Sequence, residues 1–176
     1  MRLTKLEART IRLRLVEIND AAFILKLRQD ERYNRFLSQV SNDIDAQVSW
    51  IESYKDEEAK GFQYYFIIER LDGVPCGTVR VYDFQENSFS WGSWILNEDK
   101  TRYAALESAF LIYKFGFENL NYERSHFEVM KGNDGVVSFH KKMGAIEMGQ
   151  DEINFYFNID KAAVEAAWDR LRGKVS

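Results

Sequence analysis

The sequence predicts an α+β fold with a mixed, mostly antiparallel sheet and helices on both of its faces. Hydrophobic residues make up 45% of the 176 residues and aromatic residues 15%, a composition typical of a packed globular domain. Turn residues separate several short strand-like runs, which favours antiparallel pairing. Two helical segments alternate with strand-like runs later in the chain, which predicts a parallel strand pair inside the same sheet.

Length and charge limit the classes of function. A chain of this length most simply forms a single domain, residues 1–176. The net charge of −4 lacks the basic footprint of nucleic-acid-binding proteins. The N-terminal sequence has no signal-peptide core and no stretch approaches a membrane span, so we expect a cytoplasmic protein that does not enter a membrane. Cys76 is the single cysteine; we expect it to be a buried strand residue, and we predict no metal site.

The first elements follow from local patterns. Alternating apolar and charged residues in Thr10–Val16 predict a strand with one solvated face. Asn19 or Asp20 is expected to cap a helix that ends near Arg28. An irregular polar and aromatic segment follows, and a second helix is predicted to begin near Ile44.

Three strand-like runs come next in the chain. They are Gln63–Glu69, Gly77–Tyr82 and Phe89–Leu96. The Asp72-Gly73 turn and the Gln85-Glu86-Asn87 turn contain hairpin-forming residues, so these strands are predicted to run antiparallel.

The segment from Trp91 to Gly144 organises the rest of the chain. Its pattern predicts a strand at Trp91–Leu96, a polar loop at Asn97–Arg102 and a helix at Tyr103–Leu120. A second strand at Ser125–Met130, a loop at Lys131–Asn133 and a helix at Asp134–Gly144 follow. This is a β-α-β unit with an added helix, and its first strand-to-helix loop can present backbone N–H groups to an anion. A last strand, Asp151–Ile159, and a helix, Ala162–Leu171, capped by Asp160, complete the predicted order.

Several motifs in this segment resemble one family. The spacing of seven residues is similar to the Asn-x-x-Ala-Ile-x-Leu-Tyr-x-Lys-x-Gly-Phe segment of GNAT acyltransferases: Asn133, Val136, Val137, Phe139, His140, Lys142 and Gly144. The run WGSWIL resembles the family's strand before the pyrophosphate loop, and the element order matches over residues 10–158. The Gln47-x-x-Trp50 helix and the AALES and FHKKMGA runs are most similar to the branch that acetylates nucleotide-linked amino sugars, of the pseudaminic-acid pathway type.

The resemblance implies a GNAT fold with splayed central strands and acetyl-CoA as co-substrate. Pantetheine is expected to pair with the backbone of Trp94, Ile95 and Leu96, and an amide near Trp94 or Ile95 to polarise the thioester carbonyl. The pyrophosphate loop falls on Thr101, Arg102, Tyr103, Ala104 and Ala105, and Asn133 is also expected to bind the cofactor. The loop has no glycine, but its two alanines are the next smallest residues. Thr101 is expected to cap the helix.

The family's usual tyrosine is replaced by His140, which we expect to protonate the leaving thiolate. Its reference pKa of about 6.5 lies near neutrality. The family's usual glutamate is replaced by Ser90, and Tyr82 and Asp83 are the nearest alternatives as a base. An amino group on a sugar ring is less basic than a lysine side chain, so the missing carboxylate fits an amino-sugar acceptor.

The acceptor is expected to lie under the irregular segment Tyr33–Asn42, beside Gln47 and Trp50 on one face of the second helix. We therefore predict an acetyl-CoA-dependent N-acetyltransferase whose partner is a small-molecule amine, favouring a nucleotide-linked amino sugar. Two alternatives remain: a protein N-terminal acetyltransferase of the ribosomal-protein type, and a non-catalytic acyl-CoA-binding module, which the glycine-free loop suggests. The oligomeric state is also left open, with a homodimer as one possibility.

Overall fold

The computed structural model of the chain describes residues 5–175. Its eight strands are β1 Leu6–Glu7, β2 Ile11–Leu15, β3 Tyr64–Arg70, β4 Pro75–Tyr82, β5 Ser88–Leu96, β6 Arg124–Met130, β7 Ile146–Gln150 and β8 Asn154–Asp160. They form one sheet in the order β1-β2-β3-β4-β5-β6-β8-β7. Neighbouring strands pair antiparallel, except β5 and β6, which run parallel. The mixed, mostly antiparallel sheet agrees with the predicted fold class.

The helices pack on both faces of this sheet. They are α1 Ala21–Gln29, α2 Ile44–Ala59, α3 Ala104–Lys114, α4 Asp134–Met143 and α5 Lys161–Leu171. A core on the α1 and α2 side is built around Ile24, Ile51 and Ile67. A larger core lies between the opposite face and the later helices. None of the helices in residues 5–175 is long and apolar enough to cross a membrane.

Some boundaries differ from those predicted. The helix expected to reach Leu120 is α-helical only to Lys114 and continues as a π-helical turn over Phe115–Asn119. The last strand begins at Asn154 because the Asp151 carboxylate accepts the backbone N–H groups of Ile153 and Asn154, which bends the chain before the strand. Strand β7 was not predicted, since all five of its residues are exposed and no buried face marks it.

Two predicted helix caps have different outcomes. The Asp160 carboxylate accepts the N–H of Ala163 at 2.8 Å, so the predicted cap of α5 is confirmed. Asp20 makes no capping bond to α1. Its carboxylate instead binds both terminal nitrogens of Arg14, at 2.8 and 2.9 Å, and this ion pair contributes to a lowered pKa of Asp20. The capping pattern was misleading here because an arginine on the neighbouring strand competes for the carboxylate.

The two parallel strands separate shortly after they meet. Only two residue pairs join them, Ser88 with Arg124 and Phe89 with Ser125. The Ser125 hydroxyl donates to the Phe89 carbonyl oxygen at 2.7 Å and secures this junction. Beyond it, β5 remains paired with β4, and β6 with β8, but the two strands do not pair with each other. This is the predicted splay.

A β-bulge in β5 sets which side chains flank the splay. The pairing register between β4 and β5 shifts between Thr78 and Arg80, and Ser93 has a left-handed φ of 48°. The Ser93 carbonyl oxygen accepts a hydrogen bond from the Thr78 hydroxyl at 3.2 Å. The extra residue brings Trp91 and Trp94 to the same face, with ring centroids 5.1 Å apart. Strict alternation would place these two rings on opposite faces.

Candidate active site

The splay opens a cavity of about 600 Å³, here called the wedge cavity, between β5 and β6. Five residues predicted to bind acetyl-CoA or act on it line the cavity together: Trp94, Ile95, Leu96, Asn133 and His140. The segment after α1 covers it through Tyr33 and Phe36, as expected for the irregular stretch before α2. The backbone edge of β5 beyond Phe89 is not paired with β6, so an extended ligand can add to it as a strand would.

The start of α3 leaves backbone donors free. Its N-cap residue, Tyr103, makes no side-chain capping bond. The Ala104 N–H turns back to the Thr101 carbonyl oxygen at 3.2 Å. Within residues 5–175, four neighbouring N–H groups find no protein acceptor: those of Arg102, Tyr103, Ala105 and Leu106. Free amides at a helix start, together with the helix dipole, are the features that bind a phosphate group.

A groove of about 220 Å³ runs from this helix start towards α4, where Phe139, Lys142 and Met143 form its other wall. Lys142 adds a positive charge on the α4 side. The glycine-free loop thus presents free backbone N–H groups next to this groove, and its binding of a diphosphate stays a prediction.

Thr101 does not cap α3, contrary to the prediction. Its hydroxyl bonds the Thr10 hydroxyl at 2.7 Å. Thr10 in turn donates its backbone N–H to the Glu107 carboxylate at 2.7 Å and its hydroxyl to the other carboxylate oxygen. Glu107 is only 1% exposed, so this network joins the loop, the start of β2 and the first turns of α3 inside the protein. The tertiary partner outcompetes the local cap, and Glu107 has a structural role beyond its favourable position at the helix start.

His140 is 4% exposed and lies among aromatic rings, with ring centroids 4.2 Å from Phe127 and 5.4 Å from Trp91. Its Nδ1 is buried without a hydrogen-bond partner. Burial lowers the pKa of His140 to about 4 because the charged imidazolium loses its hydration. The sequence-based expectation of a pKa near the reference value is therefore wrong. The ring is neutral at pH 7, so it can donate a hydrogen bond but does not hold an imidazolium proton in reserve.

This shifted pKa predicts an acid-sensitive fold. Between the folded pKa and the reference value of about 6.5, the unfolded chain binds a proton that the folded chain does not, so stability falls as pH drops through this window. We expect His140 to account for a loss of about 2 kcal/mol between about pH 7 and about pH 4.5. Urea unfolding at both pH values should show a smaller loss for His140→Phe, whose ring suits the aromatic surroundings. Equal losses in the variant and the wild type would contradict the prediction.

A second cavity of about 310 Å³ lies on the α1 and α2 side of the sheet. We call it the α2 cavity. The predicted acceptor-binding residues Gln47 and Trp50 line it, as do Ser38 and Ser41 from the segment before α2. Ser93, the bulge residue of β5, lines both this cavity and the wedge cavity.

Two predicted residues lie outside both cavities. Tyr82 places its hydroxyl over Gly92 of β5, where an added Cβ would approach it to 2.9 Å. Asp83 is exposed and its carboxylate contacts His126 Nε2 at 2.9 Å. The structure does not bring Asp83 to the site, and Tyr82 approaches it only through Gly92.

Sequence reasoning did not single out the charged residues that line the cavities. Glu31, Arg32 and Arg35 line the wedge cavity from the segment after α1. Glu128 of β6 faces the wedge cavity, and Arg28 and Arg80 face the α2 cavity. One signal could have found Arg80, because it is the only charged residue in the otherwise apolar strand run GTVRVY. Among the described residues, no group of three or more histidine, cysteine, aspartate and glutamate side chains is arranged to hold a metal ion.

A wedge between splayed parallel strands, next to an uncapped helix start, defines an acyl-CoA-dependent acetyltransferase fold. The family model for the acetyltransferase (GNAT) domain matches residues 10–146, which is most of the chain. The protein therefore belongs to the GNAT acetyltransferase family. It is an enzyme with acetyltransferase activity, and domains of this family use acetyl-CoA as co-substrate.

One solved structure supports the same family, and two others share the fold. The chain is similar to FdhC in its apo form, described as a nucleotide-linked sugar GNAT, at 52% identity with a TM-score of 0.89, covering 96% of this chain and 97% of that one. A GNAT-family acetyltransferase from Bacillus anthracis has 13% identity and a TM-score of 0.75, covering 90% and 99% of the two chains. A ribosomal-protein-S5-alanine acetyltransferase from Vibrio fischeri has 13% identity and a TM-score of 0.76, covering 89% and 96%. The last two share the fold. Comparison with curated proteins gives no match.

Proposed function

We propose that this enzyme transfers the acetyl group of acetyl-CoA to the primary amine of a nucleotide-linked amino sugar. The main supporting observation is that Ser93 of β5 borders both the wedge cavity and the α2 cavity, so an acetyl donor in the first and an amine acceptor in the second would lie on either side of this residue. The 52% identity to FdhC, itself described as a nucleotide-linked sugar GNAT, supports this class of acceptor.

Acetyl-CoA would span the wedge. Its diphosphate would accept hydrogen bonds from the free amides between Arg102 and Leu106, where the dipole of α3 favours negative charge. Its pantetheine arm would pair with the unpaired edge of β5 at Trp94, Ile95 and Leu96. Asn133, at the start of α4, lines the other wall of the cavity.

In the transfer, the amine nitrogen attacks the thioester carbonyl carbon, the carbon–sulfur bond breaks, and CoA leaves as a thiolate. A backbone N–H near Trp94 or Ile95 would stabilise the oxygen as it gains negative charge. The neutral ring of His140, which lines the same cavity, would donate a hydrogen bond to the departing sulfur. A thiol with a reference pKa of about 8.5 needs only modest help to leave. The proton released by the amine passes to solvent.

The test is the rate of thiol release from acetyl-CoA with different acceptors. We expect kcat/KM for nucleotide-linked amino sugars to exceed that for peptides with free N-termini by at least about tenfold, which corresponds to about 1.4 kcal/mol. A preference for peptides would overturn the sugar assignment. If no amine acceptor released thiol and millimolar acetyl-CoA did not raise the melting temperature, the transferase proposal itself would fail.

A further inference from the structure

We propose that Arg28 and Arg80 form a phosphate-binding subsite in the α2 cavity, which holds the diphosphate of the acceptor. This inference rests on the proposed function, because it assumes an acceptor that is linked to a nucleotide. It adds the group that the cavity recognises and the residues that recognise it.

Both guanidinium groups are held in place by neutral partners. Arg28 Nη2 donates to the carbonyl oxygen and to the hydroxyl of Ser38, at 2.9 and 2.8 Å. Arg80 Nη1 donates to the side-chain oxygen of Gln63 at 3.4 Å, and its guanidinium lies 4.7 Å from the centre of the Tyr82 ring. These contacts orient the two side chains and leave their charges uncompensated.

The Nε atoms of both arginines are buried and have no hydrogen-bond partner. Neither residue forms an ion pair with any acid of residues 5–175, and no aspartate or glutamate lines the α2 cavity. By contrast, Arg14 on the same sheet is paired with both Asp20 and Glu69. Two partly buried cations that line one cavity without a counter-ion are costly, and an anionic ligand would remove that cost.

The free donors suit a phosphate. Arginine presents parallel N–H groups along one edge of its guanidinium, and this fork matches two oxygens of a phosphate. On Arg80 Nη2 has no protein partner while Nη1 is anchored to Gln63, and on Arg28 Nη1 has no protein partner while Nη2 is anchored to Ser38. With Arg28 on the same cavity, the two arginines can each bind one phosphate of a diphosphate.

The other walls agree with a nucleotide-linked sugar. The ring of Trp50 is 39% exposed and lies beside the cavity, where it can stack on a base or a sugar ring. Ser93 borders both cavities, so a sugar amine placed beside it would lie next to the wedge cavity while the diphosphate stays with the arginines.

The subsite is tested by measuring Kd for uridine diphosphate and thymidine diphosphate by isothermal titration calorimetry. Arg80→Gln and Arg28→Gln should each raise Kd for the diphosphates by about tenfold to a hundredfold, the range for charge-assisted hydrogen bonds, and should not change the weak binding of the unphosphorylated nucleosides. Arg80→Lys, which keeps the charge without the fork, should fall between the wild type and Arg80→Gln. Arg124→Gln, at an exposed position of β6, is the matched control and should bind as the wild type does.

The melting shift produced by acetyl-CoA should be the same in all of these proteins, which shows that the fold and the cofactor cleft are intact. In steady-state assays the arginine variants should raise KM for the acceptor more than they lower kcat. Diphosphate binding that is unchanged in both glutamine variants would overturn the subsite, even if acetyl transfer to nucleotide-linked sugars is observed. Arginine-dependent diphosphate binding without transfer to any amino-sugar nucleotide would support the subsite and overturn the proposed function.

Discussion

Ala105→Glu should abolish the binding of acetyl-CoA while leaving the unliganded protein at least as stable as the wild type. Ala105 is the second residue of α3, and its backbone N–H is one of the free donors at the helix start. A carboxylate there favours the helix dipole and can accept the free amides, which stabilises the protein by about 0.3–1 kcal/mol. The same carboxylate would occupy the place of the diphosphate and repel it, so we expect Kd for acetyl-CoA to rise by at least about a hundredfold.

The matched control is Ala162→Glu, which places the same side chain at the second position of α5. Ala162 is exposed and lies in neither cavity. Melting curves with and without acetyl-CoA separate the two effects: the control should keep the full ligand-induced shift, and Ala105→Glu should lose it. A full shift in Ala105→Glu would show that the diphosphate is not bound at the start of α3.

Gly77→Ala should give the largest loss of folding stability among single-methyl changes in the sheet. A Cβ at Gly77 would lie 2.1 Å from the backbone carbonyl oxygen of Ile95 and 3.0 Å from the Leu96 side chain. Neither strand can move easily, because β4 and β5 are paired across this position and Ile95 is buried. We expect the free energy of unfolding to fall by about 3 kcal/mol or more. Acetyl-CoA should also bind more weakly, since the displaced residues form the wedge wall.

Gly149→Ala in β7 is the control for this change. An added Cβ at Gly149 meets no heavy atom within 4 Å and its φ is not left-handed, so the variant should be neutral or slightly more stable. Urea unfolding of both variants measures the difference directly. Equal stabilities for the two variants would mean that β4 and β5 adjust to the extra methyl group and that the close approach at Gly77 is not required.

Most of the fold could be predicted because its signals are local. Alternation in Thr10–Val16, hairpin residues at Asp72-Gly73 and helical periodicity after Tyr103 each depend on neighbours within a few positions. The elements that were missed or misplaced lack such signals. Strand β7 has no buried face, and the π-helical turn after Lys114 differs from an α-helix only in its hydrogen-bond step.

The candidate site residues were predictable where a group of them lies within a single strand or helix. Trp94, Ile95 and Leu96 are consecutive in β5, and Gln47 and Trp50 are one helical turn apart, so the structure places each group in a single cavity. Residues that meet across the fold were beyond sequence reasoning. Arg28 of α1 and Arg80 of β4 reach one cavity only because α1 and α2 pack on that face of the sheet.

The sequence by itself determined the order of the elements, the place where the sheet splays and the small side chains at the start of α3. Tertiary structure alone decided the chemistry of particular groups. Thr101 binds Thr10, which is distant in the chain, and burial among aromatic rings keeps His140 neutral. The bulge at Ser93 puts Trp91 and Trp94 on one face. The physical reason is that hydration, charge and strand register depend on contacts through space, whereas periodicity and turn chemistry depend on neighbours along the chain.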